Sequence, residues 1–476
     1  ADRLRALYLA ELLDWQVLRD LCDVSAVTRL EQHGLIQLVA DGPDTVARLN
    51  NPVIGDVALR LAGVVQTRQL NGVLARALGS YLLQGGRRTR LPDLRGRIQL
   101  AQFMMHSDLP PDPDVITAAA MGALAISNLG HAEELARFGR DHGGGLRSAL
   151  ILAESLSWQG RGDEAEAVLV EAEPEGPDEL VRWGCSRAAN LFWGCGQVES
   201  ARARLAEIAP RVESGELADL IAAMEVSFAF FSADIGSVVE RGLSLCAVEA
   251  RRPTAVWATM AMSTAWALGL VGRFAEVRGV AQAARPATAV GWAGMQLLAV
   301  GLAEVTGLTA AGNLPEADAV VRRYARLSTG APGGDAVIDA IRGQVQLARG
   351  EVAAARAALQ NSVAVLAAEF PAGWLMVVAT WAAQAEGAGG HAAAAGTALR
   401  TAERAYGPQM AVFAPELQLA RAWECACVGE TTAAQTHALA AARQARRAGM
   451  TAVELRALHT AVRFGDRTHA VRLAEL

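Results

Sequence analysis

From about residue 111 onward, apolar positions recur with helical period in Ala-rich blocks, and a short polar turn breaks each block. The turns centre on Gly130, Gly160, Gly196, Ala233, Gly272, Gly312, Gly350, Gly390, Gly429 and Gly465, separated by 30, 36, 37, 39, 40, 38, 40, 39 and 36 residues. Two helices and two turns fill one interval, so the spacing predicts a stack of helical hairpins, a solenoid. Five residues after the turn stands Ala165, Ala201, Ala317, Ala355, Ala395, Ala434 or Ala470, with Leu135, Val238 and Val277 in the other units. Seven residues before it stands Ala123, Ala153, Ala189, Ala265, Ala383 or Ala422, and Gly343 in one more. Small side chains at both places let paired helices approach closely, and the turn residue ends the first helix in a left-handed conformation.

Residues 1 to 60 have another texture. Leu4 to Leu13, Gln16 to Leu21 and Ser25 to His33 read as three helices. The period then changes to two: Leu35 to Ala40, a turn at Asp41-Gly42-Pro43-Asp44, and Thr45 to Leu49 predict a hairpin. Three helices followed by a hairpin is the order of a winged helix. Residues 61 to 110 read as a helical connector, with 111 to 476 as about ten hairpins. Pro253 to Gly272 holds no charge over 20 residues, the length of a bilayer span. Its Ala, Thr, Ser and Gly content, bounded by Arg252 and Arg273, fits a buried helix of the array better.

Composition narrows the chemistry. The 476 residues carry a net charge of -6, and all 44 basic residues are Arg. Without Lys the chain has no P-loop lysine and no Schiff-base or lysine-base mechanism. The acidic excess gives no general attraction for nucleic acid, so contact with DNA would need a local basic face. Six scattered cysteines form no C-x-x-C pair, which suits a reducing cytoplasm. The first residue is Ala with no leader after it, which reads as a segment of a longer chain.

No H-E-x-x-H, nucleophile elbow or paired-histidine spacing is present, and we expect neither metal nor enzymatic activity. Gly160-Arg161-Gly162 with Ala165 resembles a dinucleotide loop, but a helix and not a strand precedes it. The third helix of the winged-helix region offers Arg29, Glu31 and His33, too few cations to neutralise a phosphate track, and predicts packing between domains. Arg87, Arg88, Arg90, Arg95 and Arg97 form the densest basic run, either a solvated face or a docking face for an acidic partner.

The repeated phrase, as in Gly312-Asn313-Leu314-Pro315-Glu316-Ala317, resembles the turn of tetratricopeptide repeats, over about three quarters of the chain. With that geometry, the residue six before each turn lies on the inner helix and faces the concave surface. These residues are Leu124, Glu154, Asn190, Ser227, Trp266, Thr306, Gln344, Gln384, Trp423 and His459, nine of them polar or Trp among Ala-rich helices. They read as a groove for an effector or partner, or as positions that are simply wet.

The order winged helix, connector, repeat array resembles the central and C-terminal parts of large LuxR-type transcriptional regulators, with the maltose regulator among the STAND ATPases. The carrying segments are 27 to 36 (VTRLEQHGLI) and 48 to 57 (RLNNPVIGDV). The resemblance implies an all-α tetratricopeptide-like superhelix behind a small winged-helix domain. It implies a cytoplasmic sensor that takes up a small-molecule effector or regulatory protein, self-associates, and controls an attached NTPase that binds ATP or ADP. DNA would be bound only by a C-terminal helix-turn-helix, and neither flanking module is in this chain. The family's nucleotide-facing His before Pro is Asn51 here, which makes Asn51 the nucleotide-facing candidate. The alternative is a free-standing protein-interaction scaffold.

Overall fold

The computed structural model describes residues 2–41, 44–84, 91–246, 255–284, 294–326, 332–369 and 373–476. They divide into two compact units: Ala1–Leu124 with Gly130–Ile151, and Ala125–Leu129 with Leu152–Leu476.

The first unit begins with the winged helix. Helices α1 (Asp2–Ala10), α2 (Trp15–Leu21) and α3 (Val24–Gln32) precede a hairpin of β2 (Ile36–Asp41) and β3 (Asp44–Leu49). A two-residue β1 (Leu13–Asp14) pairs antiparallel with β3, giving the sheet order β1-β3-β2. Asp14 and Asp23 cap α2 and α3 by accepting the amides of Gln16 and Ser25, which satisfies first-turn donors. In the register Ile36↔Leu49 and Leu38↔Ala47, alternate residues turn inward. Ile36, Ala47 and Leu49 meet Leu7, Leu13 and Leu18 in one core.

Helix α4 (Pro52–Arg60) lies across α1 because residue 55 is Gly. A Cβ there would stand 2.6 Å from Tyr8 Cβ and from the Leu49 side chain. The connector is two helices, α5 (Gly63–Gln84) and α6 (Leu91–Met105), and it is not a passive spacer. Leu74, Leu78 and Phe103 complete the winged-helix core. Tyr81 donates to Asp14 over 3.1 Å. Thus the connector and helices α7 (Pro113–Ala125) and α8 (Leu129–Asp141) belong largely to the winged-helix unit.

The second unit is a tetratricopeptide-like array of antiparallel hairpins. The helices of its repeats include α11 (Pro177–Ala189), α12 (Val198–Ile208), α13 (Glu216–Phe231), α15 (Ala255–Val271), α20 (Val352–Glu369), α21 (Trp374–Ala388), α22 (Ala392–Ala405), α23 (Ala414–Cys427), α24 (Thr431–Arg447) and α25 (Thr451–Arg463). Nine of the ten expected turn residues are left-handed, from Gly160 at φ 76° to Gly465 at φ 99°. The exception is Gly130, which lies inside a helix; Ser127, at φ 62°, takes the left-handed place instead.

The amide following the turn residue closes each cap by donating to the carbonyl five residues back, as Arg161 does to Leu156 and Glu430 to Cys425, both at 2.9 Å. Gln197 reaches six residues back, to Leu191, because Asn190–Gly194 forms a π-turn that adds a residue to the helix end. Ala165, Ala201, Ala317, Ala355, Ala395 and Ala434 are fully buried, as their place after the turn requires, whereas Ala470 is exposed because no further hairpin follows to cover its short helix among the described residues. The uncharged stretch is the interior helix α15, buried at every position from 261 to 270. No helix among the described residues is long and apolar enough to cross a membrane.

Ala233 occupies the left-handed turn position at φ 65°, where every later turn has Gly. Ala233→Gly removes a Cβ penalty that outweighs the added chain entropy, so it should stabilise the protein by about 1 kcal/mol. Urea unfolding checks this, and an unchanged or lower midpoint contradicts it.

Candidate functional site

The array curls far enough that sequence-distant repeats touch. The segment Pro408–Phe413, a 3-10 turn entering α23, reaches α13 and α15. Phe413 lies 5.1 Å from the Trp266 ring, 6.4 Å from Phe230 and 6.3 Å from Phe231. The chain of rings continues through Trp193 to Phe228 and to Phe192, which stacks on Phe228 at 4.2 Å. Aromatics are 5% of the sequence, and seven of them join four repeats here. Helix α25 also packs on α15, with Ala452 beside Gly272.

This curl decides what becomes of the inner-helix residues. Trp266 is 4% exposed, its ring committed to packing against Phe230 and Phe413. Ser227 is fully buried. Asn190 is buried too; its amide donates to the Gly162 carbonyl at 3.0 Å and to Glu166 at 3.2 Å, tying the π-turn to the preceding hairpin. These three are covered and do not line an open surface.

The other inner-helix residues differ. Thr306 donates to Gln344 over 3.4 Å, and both are half-buried. Trp423 is half-buried between Phe464, at 5.1 Å, and the Arg463 guanidinium, at 4.9 Å. Gln384, however, is covered at 7% exposure like the first three, and it donates to Glu416 at 3.1 Å. Glu416 also pairs with Arg456, so α21, α23 and α25 share one polar node. Periodicity gave no sign of Glu416 or Arg456, which lie at other offsets from their turns. Glu154 and Arg456 are open to water yet surrounded by protein. Desolvation raises the Glu154 carboxyl above its ordinary range, partly offset by a hydrogen bond from Trp158. The same desolvation lowers the Arg456 guanidinium to about 10.

Where the 408–413 segment meets the start of α12, a cleft of about 720 Å³ is lined by Gly196, Gln197, Glu199, Arg202, Asp234 and Pro408 among others. Ser232 Oγ on its wall and the neighbouring Gln409 Oε1 are buried without a hydrogen-bond partner. Three deeper carboxylates are matched by arginine, Glu304 with Arg323 at 3.1 Å, Glu386 with Arg356 at 2.6 Å and Glu454 with Arg472 at 2.9 Å, while buried Asp466 pairs with His469 at 3.0 Å. Among the described residues no group of His, Cys, Asp or Glu is arranged to hold a metal ion.

In the first unit, Asn51 is the exposed N-cap of α4 and accepts the Val53 amide at 3.1 Å. Beside it runs an apolar ridge that sequence patterning did not single out. Val53, Ile54, Val57, Leu61, Val64 and Val65 are all exposed, Leu61 at 79%. On α3, Arg29, Glu31 and His33 are exposed as well. Of the basic run, Arg95 is half-buried and Arg97 exposed on α6, while Arg87, Arg88 and Arg90 lie outside the described residues.

No family model matches the chain, and no curated protein matches it. Among solved structures it is similar to a Rap protein complexed with competence and sporulation factor. The identity is 12%, the TM-score 0.42, and the match covers 69% of this chain and 98% of that one. It is also similar to the APC/C hetero-tetramer Cut9-Hcn1, at 12% identity and TM-score 0.33, covering 88% and 91%. Neither likeness bears on what this chain binds.

Two outcomes follow from the buried charges. Arg356→Ala strands the Glu386 carboxylate, which is 1% exposed, and should cost roughly 3 kcal/mol in urea unfolding. A loss below about 1 kcal/mol would show that Gln360 suffices as its partner. For Glu154 the folded pKa lies above the unfolded one. The folded state then holds the proton more tightly, so this residue's contribution to stability falls as pH rises from the ordinary carboxylate value through the raised one. Glu154→Gln should therefore raise the melting temperature at pH 7 and lose that advantage near pH 4; a gain independent of pH contradicts the assignment.

Proposed function

We propose that the chain is the sensor and regulatory region of a transcriptional regulator resembling the large LuxR type. In this reading the winged-helix unit docks on a protein module, and the repeat array takes up an effector or regulatory protein. The carrying observation is the exposed apolar ridge of Val53, Ile54, Val57, Leu61, Val64 and Val65. Folding alone gives no reason to leave six large apolar side chains in water within 13 residues, whereas a protein interface does. In the resembling family the partner is an NTPase, which would supply ATP or ADP binding. Asn51 stands at one end of the ridge, where its exposed cap would face such a module.

On the array, effector uptake is supported by the polar node of Gln384, Glu416 and Arg456, by Thr306 and Gln344, and by the cleft with its unpartnered Ser232 and Gln409 oxygens. A ligand there would act by shifting populations of the array. The same ridge and array equally serve a free-standing scaffold that gathers protein partners. The flanking gene sequence distinguishes the two readings. A P-loop module upstream and a helix-turn-helix downstream support the regulator; stop and start codons at both ends leave the scaffold.

Val57→Asp combined with Leu61→Asp should leave the melting temperature within a few degrees, because both residues are already in water. It should also abolish co-purification with the upstream module, or with the native partner if the chain stands alone. Undiminished co-purification would refute the ridge as the docking face.

A further inference from the structure

The outer helices of the last two complete hairpins carry a cluster of exposed arginines. Arg400 and Arg404 on α22, and Arg443, Arg446 and Arg447 on α24, are all exposed. Arg404 and Arg443 stand at the same repeat position, 14 residues after Gly390 and Gly429. Both helices pack on α23: Glu403 on α22 pairs with Arg421 on α23, and both act on the charge of His437 on α24.

None of the five arginines has an ion-pair partner among the described residues. Arg400 and Arg404 make only local bonds, to Thr397, Thr401 and the Arg400 carbonyl. This contrasts with Arg187, Arg323, Arg356 and Arg472, each matched to a carboxylate. Glu403 is already neutralised by Arg421, and every other fully exposed position of the two helices is Ala, Thr or Arg.

We propose that this ridge binds the phosphate backbone of a nucleic-acid duplex, independently of base sequence. Along one helix, arginines one turn apart place guanidinium groups about 5 to 6 Å apart at their roots. Helix α24, which packs on α23 as α22 does, adds a second row. The ridge thus offers a two-row grid of permanent cations, interleaved with hydroxyls, and these are the groups that contact phosphate. A protein partner would call for an apolar or aromatic centre, which this stripe lacks and the ridge on α4 and α5 has. With a net charge of -6 over the whole chain, attraction must come from this local face. The proposal does not depend on the regulator reading.

The test uses the full chain and a fluorescein-labelled 24-base-pair duplex of arbitrary sequence, followed by anisotropy between 50 and 200 mM salt. Wild-type protein should bind with strong salt dependence and equal affinity for a second, unrelated duplex. Arg404→Gln with Arg443→Gln should weaken binding at least tenfold at 50 mM salt. Loss of two phosphate contacts should reduce the slope of log affinity against log salt by about 2. Arg211→Gln with Arg322→Gln, the same change of charge at exposed positions off the ridge, should leave both quantities within twofold. Circular dichroism confirms that each variant folds. No duplex binding at 50 mM salt, equal losses in the two variant pairs, or binding of polyglutamate but not of duplex would each overturn the proposal.

Discussion

The contact of Phe413 with Trp266, Phe230 and Phe231 is the constraint on which the second unit depends. A tetratricopeptide-like array is held mainly by neighbour-to-neighbour packing, and its curvature is the sum of small rotations between hairpins. Here residues nearly 150 positions apart in sequence meet through buried rings, and α15 meets α25 in the same way. The curvature is thereby fixed by direct aromatic packing between distant repeats. Burying a large aromatic ring stabilises by a few kcal/mol, which is on the scale of the whole folding free energy.

That closure sorts the polar groups of the inner helices. Ser227 and Asn190 are sealed from water, Asn190 against the hairpin before it. Groups away from the aromatic contact keep access to solvent while standing within the protein's low-dielectric surroundings, and this is why Glu154 and Arg456 both shift toward their neutral forms. The exclusive use of Arg fits the same picture. A planar, permanently charged guanidinium can accompany a carboxylate into the interior, as Arg356 does with Glu386, where a lysine would more readily give up its proton.

The periodicity of the sequence carried the turns, the hairpins and the small buried residues beside them, because each is a local consequence of helix termination. Ser127 escaped because a left-handed non-glycine leaves no compositional mark, whereas Ala233 was found only through its place in the period. The winged helix was legible from three helices and a change of period to two; β1 was not, since two residues cannot show a period. Counting six residues back from each turn found inner-helix residues but not their depth. Depth depends on the long-range closure through Phe413, which no local pattern encodes. Glu416 and Arg456 were missed for the same reason. The apolar ridge at Val53 to Val65 looked like ordinary amphipathic helix until the structure showed which side was already packed.

The most direct test of this account is a double-mutant cycle between Phe413→Leu and Trp266→Leu, read by urea unfolding with Leu359→Ala, a buried residue of α20, as a distant control. The account predicts that the two aromatic substitutions are non-additive by about 1 kcal/mol, the coupling expected of an edge-to-face pair, while each is additive with the control. Additivity of Phe413→Leu and Trp266→Leu would show that the 408–413 segment does not rest on α15 in solution, and the closed array would have to be abandoned.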